Sequence, residues 1–122
     1  MEEKERKYAQ LRVAMVLTRL LEENKILADT NKKDHYKDLT LIHSQLQISV
    51  ETGLRPATLT SIFNGDSNPT ITSVIQILTA LKKTFVEFGN LYENIPESEI
   101  QKFQMMVASK KRRNNRKRES DN

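Results

Sequence analysis

The side chains that most often carry chemistry are few in this chain and stand apart. There is no cysteine, so a thiolate nucleophile, a thiolate zinc site and a disulfide are all excluded. The two histidines, His35 and His43, have neither triad partners nor metal-ligand spacing around them. The paired acids Glu2–Glu3 and Glu22–Glu23 read as helix-surface residues rather than an acid/base dyad, and no Gly-rich loop is present to cradle a phosphate. Enzyme activity, a metal and a cofactor are therefore not expected. What remains is hydrogen-bonding chemistry, concentrated in one stretch, GLRPATLTSIFNGDSNP, residues 53–69. Pro56 suits the first position of a helix, where its missing N–H costs nothing. Leu59, Ile62 and Phe63 fall at i, i+3 and i+4 and share a buried face, while Ala57, Ser61 and Asn64 point the opposite way with Thr58 and Thr60 on the flanks. A short helix with one apolar face and one bare face of small side chains implies a partner outside the protein.

The elements that must hold this helix are helical too. Tyr8 to Asp29 predicts a long first helix, with Leu11, Met15, Leu17, Leu20, Leu21 and Leu27 on its apolar face. TNKKDHYKD, which follows, reads as a loop. Leu46, Ile48 and Val50 alternate as a strand would, but Ser44 with Gln47 has capping-box spacing and Gly53 suits a helix end, so Ser44 to Thr52 is read as a helix. ITSVIQILTAL aligns Val74, Ile77, Leu78 and Leu81, and Thr84 with Glu87 opens a short helix carrying Phe85 and Phe88. A last helix is expected in NIPESEIQKFQMMVASKK, with Ile100, Phe103, Met106 and Val107 on one side.

Length and composition bound the rest. The chain has 122 residues, only three Gly and three Pro, and 37% hydrophobic residues, enough for one all-α core. No apolar run is long enough to span a membrane, and the charged opening MEEKERKYAQ lacks a signal core, so a cytoplasmic protein is expected. The net charge is +4, yet residues 110–122 alone carry +5 and the remainder sums to −1. The basic character belongs to the end of the chain, KKRRNNRKRESDN.

The register Ile48–Ser49–x3–Gly53–Leu54–x4–Leu59–x2–Ile62–x2–Gly65–x3–Pro69, continued by Val74, Ile77, Ala80 and Leu81, resembles the Cro/repressor-type (XRE, lambda repressor-like) helix-turn-helix family over residues 44–88. The resemblance implies an all-α, five-helix lambda repressor-like domain, here with a long N-terminal helix and an additional C-terminal helix. It divides the chain into a helix-turn-helix domain (1–93), a C-terminal helix (94–109) and a disordered basic tail (110–122). It implies a DNA-binding transcriptional regulator whose third helix, Pro56–Asn64, lies in the major groove of double-stranded DNA. Carried over by position, Ala57, Thr58 and Ser61 become base-readers, with Pro56 and Thr60 beside them. Gln45 reaches a base or phosphate, and Arg55, Asn64, Ser67 and Asn68 become phosphate contacts. Hydroxyls and the Gln45 amide can bond base edges, and Ala and Thr methyls can pack on thymine methyls. The resemblance also implies a homodimer, formed through the C-terminal helix or the first helix, on half-sites about one helical turn apart.

The sequence departs from that family in places. Arg55 stands where a Ser or Thr usually caps the recognition helix, leaving about 1 kcal/mol of capping absent. Phe63 replaces a common Glu, and the linker from about Thr30 to His43 is long. Residues 44–88 balance Arg55, Lys82 and Lys83 against Glu51, Asp66 and Glu87, so the motif itself offers almost no net attraction to DNA. Lys110, Lys111, Arg112 and Arg113, opening the basic tail, are expected to supply the missing cations along the phosphate backbone or in the minor groove, against the alternative of a merely solvated terminus. The near-neutral motif also leaves open a protein-interaction module, such as an antitoxin-like partner of a small toxin-like protein. RNA binding is disfavoured by the lack of interleaved aromatics.

Overall fold

The first helix, α1 (Glu3–Lys33), forms because 31 residues pass without a Gly or Pro, with Glu3 and Glu5 in the first turn and Lys32 and Lys33 in the last matching the helix dipole. It extends beyond both ends of the stretch expected from its apolar stripe, and Thr30 to Lys33 are helical rather than loop. The computed structural model describes residues 2–34 and 40–120, with side chains to residue 117; His35 and the linker residues 36–39 lie outside the described residues. Among the described residues five further helices follow: α2 (Gln45–Thr52), α3 (Pro56–Phe63), α4 (Ile71–Ala80), α5 (Phe85–Glu93) and α6 (Glu97–Ser120). Among the described residues there is no strand, as an all-α fold requires, and no helix is long and apolar enough to cross a membrane.

The short helices are bounded by local hydrogen-bond chemistry. Ser44 Oγ accepts from the Gln47 N–H at 3.1 Å, and Gln47 Oε1 in turn accepts from the His43 N–H at 2.7 Å. Thr84 Oγ1 accepts from the Glu87 N–H at 3.1 Å, and Thr70 does the same for Ser73 at 3.0 Å. Gly53 closes α2 in the left-handed conformation (φ 78°), with its N–H on the Ser49 carbonyl. The alternation in α2 proves irrelevant to its packing: Ile48 is fully buried, whereas Leu46 and Val50 are 68% and 80% exposed.

α1 is the platform for everything else. Val16, Leu17, Leu20 and Leu21 join Ile48, Leu59, Ile62, Phe63, Val74, Ile77, Leu78, Leu81 and Phe88 in one core. Leu27, expected on the same face, is half exposed, because the core ends at Asn24. Asn24 is itself only 4% exposed, and its Nδ2 donates to the Ile42 carbonyl at 2.8 Å and the Leu81 carbonyl at 3.1 Å. The Arg12 guanidinium lies 4.2 Å from the centre of the Tyr92 ring and donates to the Tyr92 carbonyl, fixing α5 to α1.

α6 docks on the first half of α1 through a second cluster in which Phe103 and Val107 cover Ala14, flanked by Leu11 and Met15. Met106, expected on that stripe, is 49% exposed. The Tyr8 hydroxyl donates to Glu97 Oε1 at 3.2 Å, and desolvation together with the Glu97 charge raises its pKa above that of a free phenol. The helix does not stop at residue 109 as expected: it runs through the basic stretch to Ser120. No Gly or Pro interrupts KKRRNNRKRES, and cations favour a helix C-terminus.

Two stability predictions follow from this packing. Asn24→Ala leaves two carbonyls without their donor and is expected to cost about 2–3 kcal/mol in chemical unfolding followed by circular dichroism; an unchanged midpoint would refute the clamp. Gly53→Ala and Gly65→Ala both place Cβ at positive φ, costing about 1–2 kcal/mol. Gly65→Ala is expected to cost more, because its Cβ would also meet Leu11 Cδ2 at 3.0 Å and Leu11 Cα at 3.2 Å, whereas nothing lies within 4 Å at Gly53.

Candidate nucleic-acid interface

The turn between α2 and α3 is tied by side chains that leave no slack. Ser49 Oγ donates to the Leu54 carbonyl at 2.6 Å, Thr52 Oγ1 donates to the Ile48 carbonyl at 2.7 Å, and the Leu54 N–H donates back to Thr52 Oγ1 at 3.1 Å. α3 then leaves at a fixed angle, with Leu59, Ile62 and Phe63 in the core. At its far end the Asp66 N–H reaches back to the Ser61 carbonyl at 2.9 Å, and Gly65 (φ 75°) lets the chain turn against Leu11 of α1. A helix of eight residues is thereby held at both ends.

The face turned outward is the one expected from the sequence. Pro56, Ala57, Thr58 and Thr60 are exposed, and Ser61 and Asn64 are half-buried beside them. None of the exposed side chains on α3 is larger than threonine or proline, so a groove wall can approach the helix backbone closely. Thr60 Oγ1 donates to the Pro56 carbonyl at 3.0 Å, which leaves it an acceptor towards a ligand, whereas Thr58 and Ser61 hydroxyls keep both roles. Gln45 is half-buried at the first turn of α2, on the side of the motif that follows the Ser44 cap. Arg55 occupies the N-cap of α3, is exposed, and makes no side-chain cap, as its chemistry predicts.

The loop after α3 meets the expectation only in part. Asn68 is exposed, but Ser67 Oγ is shielded from solvent and has no protein hydrogen-bond partner. Its hydroxyl faces inward, so the structure does not present it as a phosphate contact. Position in a loop did not reveal this, because a loop side chain has no periodicity to orient it.

The cations are arranged differently from a tail on a motif. Lys82 donates to Thr40 Oγ1 at 2.6 Å, and Lys83 pairs with Glu23 at 3.1 Å and is only 20% exposed, so both serve the fold. Arg55 is exposed and makes no side-chain cap at the start of α3. Lys111, in contrast, lies 2.6 Å from Asp66, in the loop that follows α3. The sequence signal for this contact is the i, i+4 series Phe103, Val107, Lys111, which continues the docking face of α6 into its basic part. Lys110, Arg112, Arg113, Arg116 and Lys117 are exposed on the same helix.

Residues 41–88 match the family described as helix-turn-helix, a span that covers α2 to the first turn of α5 and the whole outward face of α3. Over those residues the chain is similar to a Cro/repressor-type helix-turn-helix domain, a kind of domain that binds DNA. That family acts by binding DNA and is generally non-enzymatic. Comparison with curated proteins and with solved structures finds no match.

Arg55→Ser separates the two roles of this N-cap. A capping oxygen is expected to raise stability by about 1 kcal/mol, read as a higher thermal midpoint. Loss of the cation is expected to weaken every duplex to a similar degree. A variant neither more stable nor weaker in binding would contradict both halves of the assignment.

Proposed function

We propose that the protein is a sequence-specific transcriptional regulator that lays α3 in the major groove of double-stranded DNA. The observation that carries the reading is the outward face of α3: Ala57 and Thr58 stand exposed, with Ser61 half-buried beside them, on a helix whose other face is locked into the core. Ser61 and Thr58 read base edges, and Ala57 with the Thr58 methyl packs on thymine methyls. Arg55, Asn64 and Asn68 hold the flanking phosphates, and Gln45 at the start of α2 reaches an adenine edge or a phosphate. The regulator acts as a homodimer on a palindrome, since one eight-residue helix reads too few bases to be selective alone.

A second reading is favoured by one specific feature. Leu46 and Val50 expose apolar side chains on the outer face of α2, beside a motif of nearly balanced charge. A toxin-like protein partner bound there would make DNA binding secondary.

Selection of bound duplexes from random DNA tests the first reading, with enrichment of a short palindrome expected. Ser61→Ala and Thr58→Ala are each expected to lower affinity for that duplex about fivefold, the worth of one hydrogen bond near 1 kcal/mol, and to relax preference at one base position. If both variants keep affinity and preference, the recognition-helix assignment is wrong; if a small protein partner co-purifies and no duplex is enriched, the second reading replaces it.

A further inference from the structure

The basic end of the chain is a helix, and its attachment points it at the DNA side of the motif. Phe103 and Val107 hold α6 on Ala14 of α1, and four residues on, Lys111 meets Asp66 in the loop that ends the recognition helix. An exposed ion pair of this kind contributes little, whereas each large apolar side chain buried contributes several times more. The packing therefore sets where the helix lies, and the ion pair reports the outcome: basic residues brought next to the segment Asn64–Asn68. Around Lys111 the exposed cations Lys110, Arg112, Arg113, Arg116 and Lys117 occupy the remaining directions of the helix, at about 100° per residue.

We infer that residues 110–117 of α6 form a docked helical phosphate clamp, a second DNA-contacting element that lies along the backbone flanking the half-site read by α3. This rests on the proposed placement of α3 in the groove. Charge complementarity supports it: the motif of residues 44–88 is balanced at three cations and three acids, so the phosphate attraction must come from outside it. Continuity supports it as well, because the clamp begins one ion pair away from the end of the recognition helix. Eight helical residues span about 12 Å, enough to pass about three phosphates of one strand at about 3.4 Å each along the axis. A docked helix gives up less conformational freedom on binding than a loose arm would, so its contacts add to specific binding and not only to non-specific adhesion.

The test uses the full chain and two duplexes of equal length, the best one selected from random DNA and one of random sequence, with affinity followed as a function of salt. The triple variant Arg112→Gln, Arg113→Gln, Arg116→Gln is expected to lower the steepness of log affinity against log salt by about 2–3 on both duplexes, while keeping the preference of one over the other. Ser109→Pro keeps every cation but ends or kinks the helix after the docking residues; it is expected to lose a similar share of the slope. An unchanged slope in the triple variant would overturn the clamp, leaving these cations merely solvated. A wild-type slope in Ser109→Pro would overturn it too, because a loose basic arm would then suffice. Stronger binding to single-stranded RNA than to either duplex would also overturn it. Failure of the groove-reading proposal looks different: no duplex is preferred, yet the slope still falls with the arginines.

Discussion

The Asn24 amide sits between two backbone carbonyls, one from Ile42 on the way into α2 and one from Leu81 at the end of α4. Those two points bracket the helix-turn-helix, so one side chain on α1 fixes where the motif begins and where its supporting helix stops. The constraint is strong because the Asn24 side chain is itself buried, only 4% exposed. A buried carbonyl that loses its donor forfeits far more than an average hydrogen bond contributes. Packing of Leu17, Leu20 and Leu21 supplies most of the attraction between α1 and the motif, but apolar contacts tolerate sliding. The amide does not, and so it specifies one register.

With that register set, α1 positions the two elements that meet DNA in this account. Near its N-terminal end, Leu11 lies against Gly65, so the recognition helix ends where α1 allows it to. One turn away, Ala14 receives Phe103 and Val107, and α6 is laid down beside the same loop. The division of labour follows from charge. In the proposed reading, a face of Ala, Thr and Ser would discriminate by shape and single hydrogen bonds, and it brings little attraction of its own. The cations are carried instead on a separate helix that shares the same support.

Much of this was legible in the sequence because capping is local chemistry. Ser44 with Gln47, Pro56, Gly53 and Thr84 with Glu87 each fixed a helix boundary, since the groups that bond are three or four residues apart. The bare face of α3 was legible for the same reason, as helical geometry fixes which residues oppose Leu59, Ile62 and Phe63. Features that depend on distant partners were not. The alternation of Leu46, Ile48 and Val50 suggested a strand, yet only Ile48 has a neighbour to pack on. Leu27 and Met106 belong to apolar stripes that outrun the surface available to bury them. The basic stretch looked like a tail because composition shows charge, whereas its helix is continued from a docked segment upstream and meets Asp66 across 45 residues of chain. Ser67, in a loop, could be placed by neither periodicity nor capping.

The central claim is that the small side chains of α3 are the surface that touches DNA. Titrating the isotope-labelled full chain with the selected duplex, and following every backbone amide by nuclear magnetic resonance, tests it most directly. The account predicts the largest changes at Ala57, Thr58 and Ser61, with a second group along Lys110 to Lys117 and little at Leu46 and Val50. Changes confined to α6, or centred on the outer face of α2 with α3 silent, would contradict it.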